Sequence, residues 1–368
     1  MKTMLVLSMG ALLLAGTLSA QTPVPEWQAG VDKVKNLIQS NPAQASEEAG
    51  ELLKGKNKKN VDLVTSVAHV YLDAGKITEA QEYLAMAKKA NNKDPKVSVL
   101  EGDIALAQKN IGQACQLYEQ AIYFDPNCKE AYLKYAQAYK SASPTQAIEK
   151  LEQLKAVDPN CLEADRELAE VYYSGNRFGK AAEMYAKFID TPLATEDDML
   201  KYAFALFLNH DFEKSLQVAQ KGLQKNARHA AFNRLVMYNN TDLKRYEDAE
   251  KAADAFFNAS DRADYSYLDY RYYGALLSAL KKYDKAIIEY GKALDKDDTQ
   301  VDLWREISDA HEMNNNYAEA IAAYRKYYDA LAKEKKTPET LFQLGRLYYG
   351  QGTSSDSVSY THLRAHET

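Results

Sequence analysis

The chain has 368 residues, of which 46% are hydrophobic and 27% charged, with only 9 prolines and 16 glycines. Such composition excludes a disordered chain and favours helix nearly throughout. The net charge of −6 comes from interleaved signs rather than one basic block. The concentrated cationic surface that phosphate binding needs is therefore missing, and no nucleic-acid partner is expected.

In chain order, residues 1–20 come first and read as a secretory signal peptide: Lys2, an apolar run from Met4 to Leu14, then small residues ending at Ser19-Ala20. Cleavage before Gln21 is expected. The run is too short for a bilayer, and no later stretch approaches the roughly 20 apolar residues that a span requires. No cysteine near the cut offers a lipid anchor, so a periplasmic or secreted protein without a membrane span is expected. Residues 21–60 read as a divergent first helical repeat.

From 61 to 353 the sequence keeps one metre. Small residues recur at Ala80, Ala114, Ala147, Ala181, Ser215, Ala249, Ala286 and Ala320, at intervals of 34, 33, 34, 34, 34, 37 and 34. A second series runs Ala68, Gly102, Ala136, Ala169, Ala203, Met237, Gly274, Ser308 and Gly345. Four residues after the first series stand Leu84, Tyr118, Leu151, Tyr185, Tyr290 and Tyr324, a spacing that puts both on one helix face. Asp-Pro at 94–95, 125–126 and 158–159 is expected to end the second helix of a unit. Two short helices cannot bury their apolar faces alone, so each pair must stack on the next, with the small residues permitting close approach.

This pattern resembles the tetratricopeptide repeat, through Ala114, Tyr118, Ala121 and Pro126 in one unit, Leu168-Ala169, Tyr172, Ala181 and Tyr185 in another, and Trp304 in a third. The signal peptide adds a looser likeness to envelope tetratricopeptide proteins of Bacteroidetes. The resemblance implies an all-α, right-handed α-α superhelical solenoid of about nine helix pairs. Departures occur: Met237 and Ser215 stand at small-residue positions and two spacings, Met237 to Gly274 and Ser308 to Gly345, are stretched to 37, which weakens the repeats of residues 196–266.

The end reads differently. A ninth unit starts at Pro338, but its second helix does not follow. Residues 354–368 look like a non-native or truncated tail, in which His362 and His366 lack a third ligand for a metal. Cys128 and Cys161 occupy matching places in adjacent repeats, farther apart than a disulfide allows, and unpaired thiols are expected. No phosphate loop, nucleophile elbow, Cys-x-x-Cys or His-Glu-x-x-His occurs. The expectation is a non-enzyme with no cofactor and no metal.

In the resembled family the first helix of each unit lines a concave groove through positions 2, 5, 9, 12 and 13. Carried onto this chain, position 5 is Arg166, Leu200, Arg234, Arg271 and Arg305. Position 9 is Glu170, Phe204, Tyr238, Ala275 and Asp309, and position 12 adds Tyr173 and Phe207. Arginine with aromatics suits protein recognition. The plainer reading is intrahelical pairing of Arg166 with Glu170 and Arg305 with Asp309. Thr65 and His69 stand where a clamp for chaperone tails needs lysine and asparagine, which disfavours that ligand. The sequence thus predicts a protein- or peptide-binding scaffold, expected within an envelope assembly. The alternative is a carbohydrate-binding envelope protein, suggested by its 27 tyrosines.

Overall fold

The computed structural model describes residues 24–259 and 264–352. The expected signal peptide and the 354–368 tail, with His362 and His366, lie outside them. Nineteen α-helices occupy the described residues, in two units divided between Tyr139 and Lys140.

The first unit holds α1 (Gln28–Leu37), α2 (Pro42–Leu52), α3 (Val61–Asp73), α4 (Ile77–Asn91), α5 (Pro95–Ala107), α6 (Ile111–Phe124) and α7 (Lys129–Tyr139). The second opens with α8 (Pro144–Val157), α9 (Leu162–Ser174), α10 (Phe178–Phe188), α11 (Glu196–Leu208), α12 (Phe212–Lys225) and α13 (Ala230–Asp242). It continues with α14 (Tyr246–Asp254), α15 (Tyr267–Ala279), α16 (Tyr283–Lys296), α17 (Asp302–Met313), α18 (Tyr317–Ala330) and α19 (Pro338–Gly350). No strand occurs among the described residues. Within each unit consecutive helices pack on one another, except that α3 packs on α1 rather than α2, as in a helix-pair solenoid.

The turn inside most pairs is repeated as faithfully as the helices. Gly75, Lys109, Asn176, His210, Lys244, Lys281 and Asn315, in seven of the helix pairs, all have positive φ, between 56° and 75°. Only glycine takes this left-handed conformation without cost. The Asp-Pro dipeptides act in two ways. Asp125 and Asp158 stand just past α6 and α8, as expected. Asp94-Pro95 instead opens α5: the Asp94 carboxylate accepts the Lys96 N–H at 3.0 Å, and Pro95 sits in the first turn, where no N–H partner exists to lose.

All eight residues of the first small series are fully buried, and so are Ala68, Ala169 and Ala203 of the second. The two series meet inside a pair: Ser215 Oγ donates to Ala203 O, and Ser308 Oγ donates to Ala320 O, each at 2.8 Å. A hydroxyl is thus tolerated because the facing carbonyl satisfies it. Met237 is also fully buried, opposite a run of small residues at Ala249, Ala252 and Ala253. Both stretched intervals leave the helix pairs intact. One is absorbed after α14, in a π-helical turn (Ala255–Ala259) and the link beyond it, and the other between α18 and α19.

First helices lie side by side: α5 packs on α3 and α7, and α13 on α11 and α15, with α17 following α15. Among the described residues no two second helices make comparable contact. Each unit therefore has an inner face built by first helices, where backbones come closest.

Candidate functional site

The positions expected to line a groove lie on α9, α11, α13, α15 and α17 of the second unit. Three of the four arginines there do not pair along their own helix. Arg166 Nε donates to Asp198 Oδ1 at 3.0 Å. Arg234 grips Asp269 through Nε at 2.7 Å and Nη2 at 3.0 Å, and Arg271 grips Glu306 through Nη2 at 2.6 Å and Nε at 2.9 Å. Each pair joins the first helices of neighbouring repeats. Arg305 alone faces its own helix, at 3.8 Å from Asp309, longer than a hydrogen bond.

The choice of partner has a local cause. Asp198 and Asp269 are third residues of capping boxes: Asp198 accepts from Thr195 N–H at 2.8 Å, and Asp269 from Ser266 N–H at 2.8 Å. Both carboxylates are buried, and a buried charge needs a partner. The expected Arg166–Glu170 pair does not form, because Glu170 is taken by Tyr185 OH at 2.7 Å and Lys201 Nζ at 2.9 Å.

The aromatics divide likewise. Phe207 is 9% exposed and Tyr238 2%, so both serve packing rather than open surface. Tyr238 stacks on Tyr272 with centroids 4.0 Å apart, while Phe207 lies 5.6 Å from Tyr238. Tyr238 OH donates to Asp269 at 2.7 Å; burial and that carboxylate push its phenol pKa far up. Tyr173, edge-on to Phe178 at 5.7 Å, and Phe204 remain half-buried. Of the expected row, Tyr173, Phe204, Arg305 and Asp309 are part-exposed and stand outside the arginine–carboxylate pairs between repeats.

The first unit carries an equivalent cluster that spacing alone did not single out. His69 Nε2 faces Asp103 Oδ2 at 2.9 Å and its Nδ1 faces Thr65 O at 2.9 Å. Two acceptors flank the ring, so both nitrogens are satisfied only in the imidazolium form. Burial lowers the His69 pKa, but the hydrogen bond and charge of Asp103 outweigh it, with Lys134 opposing and Glu130 adding, and the net shift is upward. Asp103 also accepts from Tyr118 OH at 2.8 Å and meets Lys134 Nζ at 2.9 Å. Burial would raise its pKa, yet these donors hold it below the usual carboxylate value. Beside the cluster is a cleft of about 320 Å³ whose wall includes Trp27, Ser66, His69, Lys96 and Glu130.

Among the described residues no group of three or more histidine, cysteine, aspartate or glutamate side chains converges as metal ligands. No helix there is long and apolar enough to cross a membrane.

A tetratricopeptide-repeat family profile matches residues 68–128, 136–193 and 274–335. No curated protein sequence matches. Similar solved structures include a tetratricopeptide repeat protein from Parabacteroides merdae, at 14% identity over 68% of this chain and 98% of that one, with a TM-score of 0.42. Another is pilF of Pseudomonas aeruginosa, at 15% identity over 56% of this chain and 96% of that one, with a TM-score of 0.45. With the period, the buried small residues and the stacked pairs on the page, the chain belongs to the tetratricopeptide-repeat proteins, helical scaffolds that bind protein partners.

Proposed function

We propose that this protein binds an extended peptide segment of a partner in the cell envelope, on the inner face of its second unit. The observation that carries the reading is the layer of adjoining first helices there. Its inter-repeat arginines and carboxylates are already fixed to one another, while Tyr173, Phe204, Arg305 and Asp309 are part-exposed and stand outside those pairs. A face whose charged side chains are held in place loses little entropy when a guest arrives, and half-buried rings such as Tyr173 and Phe204 supply the anchors that dominate peptide affinity.

Selection from a random peptide library, followed by calorimetry on the recovered peptides, tests the site. Tyr173→Ala and Phe204→Ala should each weaken binding by about tenfold, the lower range for an aromatic anchor. Failure to recover any binder, or indifference of every binder to both changes, would remove the proposal. The envelope setting rests on residues 1–20 and has its own test. Mature protein from the periplasmic fraction should begin at Gln21; retention of Met1 in the cytoplasmic fraction would sink it.

A further inference from the structure

In three repeats, position 9 on the first helix meets position 6 of the next. Asp103 receives Lys134 Nζ at 2.9 Å in the first unit. Glu170 receives Lys201 Nζ at 2.9 Å in the second, and there Tyr272 stacks on Tyr238 at 4.0 Å. Where position 9 is a carboxylate, then, position 6 has brought an ammonium. Each carboxylate also accepts a tyrosine hydroxyl from the second helix of its own repeat, from Tyr118 at 2.8 Å and Tyr185 at 2.7 Å.

The repeat built on α17 breaks this rule. Its position 9 is Asp309, its second helix supplies Tyr324, and position 6 of the following helix is Gln343 instead of lysine. Gln343 has turned away, its Oε1 accepting from Arg346 Nε at 3.1 Å. Neighbouring cations are engaged elsewhere: Arg346 Nη2 with Glu312 at 2.6 Å and Arg271 with Glu306. Among the described residues Asp309 is left with Arg305 at 3.8 Å and no hydrogen-bond donor. We propose that this vacancy is the specificity-determining seat of the peptide site: Asp309 receives the side-chain ammonium of a lysine from the bound segment, in the place Lys134 and Lys201 fill elsewhere.

Two further features agree. Partial burial holds the Asp309 carboxyl above its ordinary value, opposed by the charges of Arg305 and Arg346 and helped by Glu312 and Glu306; an incoming cation relieves that arrangement. Asp309 is also 47% exposed at its side chain, accessible to a guest in a way that Asp103, at 10%, is not. The seat rests on the peptide-binding reading above, and the experiment separates the two.

Peptides selected on the wild-type chain should share a lysine at one fixed place, and that enrichment should vanish when selection is repeated on Asp309→Asn and on Gln343→Lys. The second variant supplies the missing ammonium in cis and so blocks the seat without removing the carboxylate. In calorimetry, changing the shared lysine to norleucine should weaken binding by about tenfold, roughly one charge-assisted hydrogen bond. Acetylating the peptide's amino terminus should change nothing; a loss there would assign the seat to an α-amine and overturn the lysine. Binders without a fixed lysine, or a lysine that survives Gln343→Lys, would overturn the seat while leaving peptide binding intact. Absence of binders would remove both.

Discussion

Replacing Asp269 by asparagine keeps the side chain's shape and removes its charge, so the cost reports the clasp between α13 and α15 and little else. Asp269 is fully buried and every contact can donate to it. Oδ1 accepts from Arg234 Nε and from Tyr238 OH, each at 2.7 Å. Oδ2 accepts from Ser266 N at 2.8 Å, Ser266 Oγ at 3.0 Å and Arg234 Nη2 at 3.0 Å. Asparagine offers one acceptor oxygen, and its NH₂ must face donors on whichever side it is placed. Breaking a buried pair costs about 3–5 kcal/mol. Arg234 is 23% exposed and keeps the Asp264 carbonyl at 2.8 Å, which argues for the lower end, about 3 kcal/mol. Asp198→Asn should cost less, about 2 kcal/mol, because Arg166 reaches Asp198 through a single nitrogen. Asp309→Asn should cost under about 1 kcal/mol, as for any exposed pair. Urea unfolding followed by circular dichroism measures the order. Hydrogen exchange should place the loss in α13 to α15, since stacked repeats unfold in segments. An Asp269→Asn cost no larger than that of Asp309→Asn would refute the claim that these arginines are inter-repeat clasps.

The His69–Asp103 contact predicts a pH window for the first unit. The folded pKa of His69 is raised, so its contribution is complete below about pH 6.5, the ordinary histidine value, and is lost as pH rises through the folded value. That of Asp103 is lowered, so its contribution is complete above about pH 3.9 and fails only as pH falls through the depressed value. Amide protection in α3 and α5, corrected for intrinsic exchange, should therefore fall as pH rises above about 6.5 and through the raised His69 value, and His69→Gln should flatten the dependence; a flat wild-type profile would contradict it. Gly102→Ala should destabilise by about 2 kcal/mol, because the new Cβ would lie 2.5 Å from Tyr118 Cε1 and Asp103 pins that ring. Gly291→Ala, with nothing within 4 Å of the added atom, should instead stabilise by about 0.5–1 kcal/mol. Equal shifts in the urea midpoint would show that glycine entropy, not close approach, governs both.

The repeat was legible because its constraint is steric and recurs. Ala80 through Ala320 lie where two helices leave no room for a larger side chain, so the alphabet collapses to alanine and serine at a fixed interval. Met237 was the warning that volume is conserved over a site rather than at a residue. The arginine row was legible as a row, but its partners were not. Spacing along one helix proposes the residue four positions on, whereas Arg166, Arg234 and Arg271 find carboxylates 32 or 35 residues on. That distance becomes a contact only once first helices lie side by side. Arg305–Asp309 follows the single-helix rule and is also the loosest of the four.

This partition changes what a mutation on the inner face can mean. Arg234 and Arg271 look like ligand contacts in sequence, yet truncating either strands a carboxylate from the next repeat, Asp269 or Glu306. Lost binding in such a variant would report lost register between repeats as readily as a lost contact. Substitutions at Phe204 and Asp309 leave the clasps in place, and Gln343→Lys extends the native Lys134 and Lys201 solution by one repeat. Recognition on this face is therefore best sought where the repeat-to-repeat pairing is incomplete, because only there does a guest's charge find a partner without first displacing one.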